Sequence, residues 1–170
     1  MKVSAYIAAS LFLLTVSVGC SAGAKAQLPW WQTIKLEPAV MVLDNLEPYD
    51  FNSDWVYASF ISHSDIKAQI GEADYQAFIE APFSFGKVID LNGNGEDEAV
   101  RVGVYRDKDQ GKGIFLAIFE EGRLVHVIDK SSSQDFSVLQ LKNNEVRWYR
   151  CTTCSEYRKL VWDGSSYILE

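Results

Sequence analysis

The nine residues Asp90-Leu91-Asn92-Gly93-Asn94-Gly95-Glu96-Asp97-Glu98 put an oxygen-bearing side chain at every second position of a glycine-rich turn. Hard cations such as Ca²⁺ take carboxylate, amide and main-chain oxygens, and alternate residues of a tight turn aim at one centre. In that geometry Asp90, Asn92 and Asn94 ligate at positions one, three and five. Glu96 offers its carbonyl at position seven and Glu98 closes the shell at position nine. Gly95 permits a bend that a Cβ would hinder. A metal held this way is structural, since no nucleophile or base stands beside it in sequence. An EF-hand is excluded, because Arg101 occupies the twelfth position and a strand pattern follows where a helix is required. The competing expectation is an Asn-Gly hairpin turn with no ion.

The same stretch resembles the FG-GAP or VCBS-type repeat of integrin-like propellers. Phe85-Gly86, Asp90-Leu91-Asn92-Gly93, Gly95, Glu98 and Val102-Gly103 carry the resemblance. It implies a calcium-binding loop between two antiparallel strands. The family usually has Asp where Asn94 and Glu98 stand, so one formal charge is missing, and the unit occurs once here. The loop is therefore carried over and the propeller is not, since a closed propeller needs about four blades or more.

A second constellation is Cys151-Thr152-Thr153-Cys154 between two strand-like segments. A short-range disulfide, a redox pair, a zinc half-site and free thiols compete. A redox pair needs a helix N-terminus at its first cysteine, and no helical period follows Cys154. Zinc needs two more ligands, and the two histidines, His63 and His126, are far apart in the chain. His63 reads as a solvated turn residue, and His126, alternating with Leu124 and Ile128, as a core histidine. A third cluster, Arg147, Trp148, Tyr149, Arg150, Tyr157 and Arg158, interleaves cations with aromatics. It reads either as a binding patch for an anionic glycan or protein partner, or as an ordinary strand exterior.

These groups need a scaffold, and the composition provides for one. The chain has 170 residues, 48% apolar and 23% charged, with a net charge of −7. That balance excludes a disordered chain and argues against nucleic acid as a partner. Lys2 followed by the uncharged run Tyr6 to Val18 is too short for a comfortable transmembrane span and has the form of a signal peptide, residues 1–26. One cleavage site follows Ala24-Lys25-Ala26. The other precedes Cys20, since Ser17-Val18-Gly19-Cys20 resembles a bacterial lipobox and implies a lipid anchor. Either way the odd cysteine leaves the count, and Cys151 and Cys154 remain in an oxidising periplasmic or secreted setting. Loss of Lys2 and Lys25 and of no acid takes the net charge to −9.

Residues 27–50 read as an extended lead-in with a short strand at Ala39 to Leu43, and Trp30-Trp31 as packing residues. A strand is expected at Trp55 to Ile61. One helix is expected at Asp65 to Glu80, capped by Ser64, from the stripe Ile66, Ile70, Ala73 and Ala77. Period-two segments follow at 83–90, 99–106, 113–119, 124–129, 136–141, 146–150, 157–162 and 167–169, separated by turn residues. The expected fold class is α+β, mainly β: an antiparallel meander of about eight short strands in one domain, 51–170, with one covering helix. The expected function is binding or structural, in an exported bacterial envelope protein. An envelope-acting hydrolase built on convergent carboxylates and an inhibitor of a foreign envelope-degrading enzyme are the alternatives.

Overall fold

A computed structural model describes residues 28–39 and 46–170. The expected signal peptide, Cys20 and most of the strand expected at Ala39 to Leu43 lie outside the described residues. The architecture is mainly β, with two five-stranded antiparallel sheets. The strands are β1 (Trp55–Phe60), β2 (Phe83–Ser84), β3 (Gly86–Ile89), β4 (Glu98–Asp107), β5 (Lys112–Glu120), β6 (Arg123–Ser131), β7 (Val138–Lys142), β8 (Glu145–Tyr149), β9 (Arg158–Trp162) and β10 (Tyr167–Leu169). The first sheet runs β1-β4-β5-β6, with β3 also on β4; the second runs β10-β9-β8-β7-β2.

Alternation on β4 and β5 divides the first sheet into two faces. Val100, Val102 and Val104, with Ile114, Leu116 and Ile118, enter a core shared with Leu139, Val146, Trp148, Leu160 and Tyr167 of the second sheet. Phe115, Ala117, Phe119 and Tyr105 face the other way, where Phe51, Trp55 and Ala58 cover them. β5 is therefore buried on both faces, which accounts for the continuous apolar run from Ile114 to Phe119.

Two glycines make the outer face close. Gly103 pairs with Phe115 and Gly113 with Tyr105 across the β4–β5 ladder. A Cβ on Gly103 would stand 2.2 Å from Phe115 Cζ and 2.7 Å from the Ser59 carbonyl. One on Gly113 would stand 2.4 Å from the Tyr105 ring. Each ring lies over the glycine opposite, so neither site has room for a methyl group.

Three expectations are corrected. The helix expected at Asp65 to Glu80 is two helices, α3 (His63–Lys67) and α4 (Glu72–Glu80). Ser62, not Ser64, caps α3, in a reciprocal box with Asp65. Gly71 takes an extended conformation as the N-cap of α4. The break frees the Gln69 side chain to pair with both the N–H and the C=O of Lys35, each at 2.9 Å. Ile66 and Phe78 still reach the shared core. Second, the strand expected at 83–90 divides at Phe85: β2 joins β7 while β3 joins β4. Third, the lead-in holds two one-turn helices, α1 (Trp30–Thr33) and α2 (Pro48–Phe51). Trp30 packs edge-on against Phe78 and Phe136, as a packing residue should. Ile34 and Leu36 are buried, and Glu37 pairs with Arg106 and Lys112.

At the β9–β10 turn the Asp163 carboxylate accepts bonds from the N–H groups of Ser166 and Ser165 and from the Ser165 hydroxyl, at 2.8–2.9 Å. These bonds favour the ionised form and hold its pKa below the usual carboxylate range.

Two outcomes follow. Gly103→Ala is expected to lower stability by about 1–3 kcal/mol through overpacking, read by urea unfolding. Asp163 stabilises the fold fully above its unfolded pKa, and this contribution fades as pH falls through the lowered folded value. Carboxyl NMR titration should place its midpoint below the ordinary aspartate value.

Candidate functional site

The acidic loop joins β3 to β4, and its fold is dictated by its own side chains. Asp90 Oδ1 accepts the Gly93 N–H at 2.7 Å and Oδ2 the Gly95 N–H at 3.0 Å. Asn92 Oδ1 accepts from Asn94 N–H at 2.9 Å, and Asn94 Oδ1 from Glu96 N–H at 2.7 Å. Each Asx side chain thus bonds backbone a few residues on, the local alternative to secondary structure that these residues offer. Gly93 (φ 76°) and Gly95 (φ 90°) supply the left-handed conformations that turn the chain. All three Asx oxygens consequently lie on the inside of one tight loop.

Glu98 differs from the rest of the loop. It is 0% exposed, the first residue of β4. Its Oε2 accepts the Leu91 N–H at 2.5 Å, closing the loop, while Oε1 has no hydrogen-bond partner. A buried carboxylate oxygen without a partner is costly. Moreover, Glu98 stands directly across from Glu120 on β5, and like charges at that position repel. Asp90, Glu96, Asp97, Glu98 and Glu120 make no ion pair with a cationic side chain among the described residues.

A small network ties the loop to both sheets. Asn92 Nδ2 donates to Glu120 Oε1 at 3.2 Å and to the Tyr167 hydroxyl at 3.1 Å. The Tyr167 hydroxyl donates to Glu120 Oε1 at 2.7 Å. Burial, its bond to Glu120 and the adjoining Glu98 carboxylate, through hydrogen-bonding proximity and charge, push the Tyr167 phenol well above its ordinary pKa, so it stays a donor. Tyr167 was not among the residues that loop spacing could select, because β10 reaches the loop only through the fold.

Of the expected ligands, the fold brings Asp90, Asn92 and Asn94 into one turn, with the Glu96 N–H bonded to Asn94 and the buried Glu98 bonded to the Leu91 N–H. Among the described residues, no group of three or more His, Cys, Asp or Glu side chains converges. Any cation here would thus rest on two carboxylates, amide oxygens and main-chain carbonyls, a donor set suited to Ca²⁺ rather than to zinc.

Cys151 and Cys154 are bonded, with Cα atoms 5.4 Å apart, in the connection between β8 and β9. No helix follows Cys154, so the geometry of a redox pair is not met. The aromatic and cationic cluster is split in two. Arg147 and Tyr149 share one face of the second sheet with Tyr157: the Arg147 guanidinium lies 4.4 Å from the Tyr157 ring centre, and Tyr149 and Tyr157 are 5.3 Å apart. Arg147 is neutralised by Glu145 at 2.7 Å. Trp148 and Arg158 pair across β8 and β9 on the opposite face, and Arg150 and Tyr157 join them at one depression. Tyr157 thus stands between the two groups.

The histidines also move. His63 opens α3, exposed but set 5.5 Å from both Phe78 and Phe85. A bulge between Ile118 and Phe119 shifts the β5–β6 register, so His126 and Ile128 face the second sheet while Leu124 packs on the outer cluster. His126 is half-buried, 6.0 Å from the Tyr167 ring.

Comparison of the chain with protein-family models, with curated proteins and with solved structures finds no match.

The disulfide has a direct check. Alkylation of the oxidised protein should leave Cys151 and Cys154 unmodified until a reductant is added. Because the loop is so short, Cys151→Ser/Cys154→Ser should cost at most about 2 kcal/mol, measured by thermal melting.

Proposed function

We propose that this domain works outside the cytoplasm as a binding or structural module, and that its Asp90–Glu98 loop takes up a structural calcium ion. The observation that carries the reading is Glu98: a carboxylate with no exposure, one oxygen holding the loop and the other without a partner. A cation seated in the turn gives that oxygen a ligand to bind and screens Glu98 from Glu120. Asp90, Asn92 and Asn94 would supply side-chain oxygens from above, and Glu96 a carbonyl. The loop's Asx turns already hold those oxygens, so little ordering is required on binding. The resemblance of residues 85–103 to the FG-GAP type of loop points the same way.

Two features support the extracytoplasmic setting. The Cys151–Cys154 bond is compatible with an oxidising compartment. Among the described residues, no helix is long and apolar enough to cross a membrane. A periplasmic or secreted protein meets calcium at levels that suit a low-charge site, with an affinity of about 10⁻⁴–10⁻³ M.

Calcium titration with thermal melting tests the reading. At tenfold saturation, binding adds about 1.4 kcal/mol, a rise of roughly 3–6 °C for a domain of this size. Magnesium should give a smaller rise, because it demands a tighter shell than this loop offers. Asp90→Ala and Glu98→Gln should abolish the calcium-dependent rise. Unchanged melting of the parent protein at saturating calcium would overturn the proposal.

A further inference from the structure

Residues of both sheets line a cavity of about 230 Å³. Its floor is Ile114 from the first sheet with Trp148 and Leu169 from the second; Lys130, Arg150 and Arg158 stand around it, with Asp129 beside Lys130. Lys130, Trp148, Arg150 and Arg158 also line an open depression of about 580 Å³ that leads outward. Three cations thus surround an apolar floor at the mouth of the core.

Strand register accounts for the arrangement. Lys130 pairs with Ile114, whose side chain lies in the shared core, so Lys130 emerges on the face toward the second sheet. Asp129 pairs with Phe115 on the outer face, and its carboxylate is a neighbour of the Tyr105 hydroxyl there. Arg158 pairs with Trp148 across β8 and β9.

Two of the cations are held by main-chain and hydroxyl oxygens. Arg158 donates to the main-chain oxygens of Leu169 at 2.7 Å and Glu170 at 3.0 Å. Arg150 Nη2 donates to the Ser132 hydroxyl at 2.6 Å. None of Lys130, Arg150 and Arg158 has a side-chain carboxylate within ion-pair distance among the described residues. Two acids border this space, Asp129 at the cavity and Glu156 on the rim of the outer depression. Two donors of the wall residues, Trp148 Nε1 and Arg150 Nε, are buried without an acceptor. In a chain of net charge −7, three cations without a side-chain ion pair at one cavity, among the described residues, run against the overall charge.

We propose that this cavity binds a small organic carboxylate, with a compact apolar body on Ile114, Trp148 and Leu169 and its head group among Lys130, Arg150 and Arg158. The volume suits a single ring, since a cavity of about 150 Å³ accepts benzene. Guanidinium groups already oriented by hydrogen bonds meet a carboxylate with little ordering cost and with charge-assisted hydrogen bonds. The site is remote in the chain from the acidic loop and does not depend on calcium.

The test uses phenylpropanoate and its neutral amide, titrated calorimetrically into the oxidised protein with and without calcium. The acid should bind at least about tenfold more tightly than the amide, and more weakly at high salt. Lys130→Gln and Arg158→Gln should each weaken the acid about tenfold. Arg123→Gln, which removes an exposed cation elsewhere on β6, should not. A short peptide ending in a free phenylalanine carries the same ring and head group. Tighter binding of the peptide assigns the carboxylate to a chain terminus, weaker binding to a free small molecule. Equal affinity for acid and amide, equal loss with Arg123→Gln, or no heat from the acid overturns the proposal. A positive result without calcium stands whatever the fate of the loop reading.

Discussion

A single buried carboxylate sets the conditions for everything around the loop. Glu98 begins β4, the longest strand, and β4 carries β1 and β3 on one edge and β5 on the other. With Oε2 spent on the Leu91 N–H and Glu120 directly opposite, the negative charge at this corner is held in place by the fold and cannot turn to water. The Asn92–Glu120–Tyr167 bonds extend the constraint from the first sheet to the last strand of the second. A fully satisfied buried network specifies one arrangement, whereas an unfilled acceptor within it calls for a partner. We propose calcium as that partner, because the loop offers carboxylate, amide and main-chain oxygens.

The scaffold makes that corner rigid. The first sheet is covered on both faces, by the shared core on one side and by Phe51, Trp55 and their neighbours on the other. Gly103 and Gly113 let aromatic rings close over the backbone. Glu37 secures the lead-in to β4 and β5 through Arg106 and Lys112. The cationic cavity is lined by residues of both sheets, at Ile114 near the start of β5, whereas Glu98 stands across from Glu120 at the end of that strand.

Much of this was legible in the sequence. Period-two segments marked the strands to within a few residues, because half-buried strands must alternate. Gly93 and Gly95 marked the turn, because only a residue without a Cβ reverses the chain there cheaply. What could not be read is what depends on partners. Phe85 looks like the middle of one strand, yet it is where the chain changes sheets. Gly71 sits inside a helical stripe, and only the Gln69–Lys35 contact shows why the helix stops. Arg147 to Arg158 looked like one patch, but strand alternation separates Arg147 from Trp148 and Arg158. Lys130 was never singled out, since its cavity partners come from the other sheet. Glu98 reads as one more acid in an acidic turn, and its burial is a property of the assembled sheet alone.

The central claim is that the Glu98 carboxylate is a cation ligand and not only a loop clasp. Carboxyl-carbon NMR of Glu98 and Asp90 during a calcium titration tests it at the atoms concerned. The account predicts that both resonances move together and saturate with one dissociation constant of about 10⁻⁴–10⁻³ M, while the exposed carboxylates of Asp74 and Glu72 stay in place. Glu98 and Asp90 resonances that remain fixed throughout, or that drift only as the exposed acids do, would contradict it.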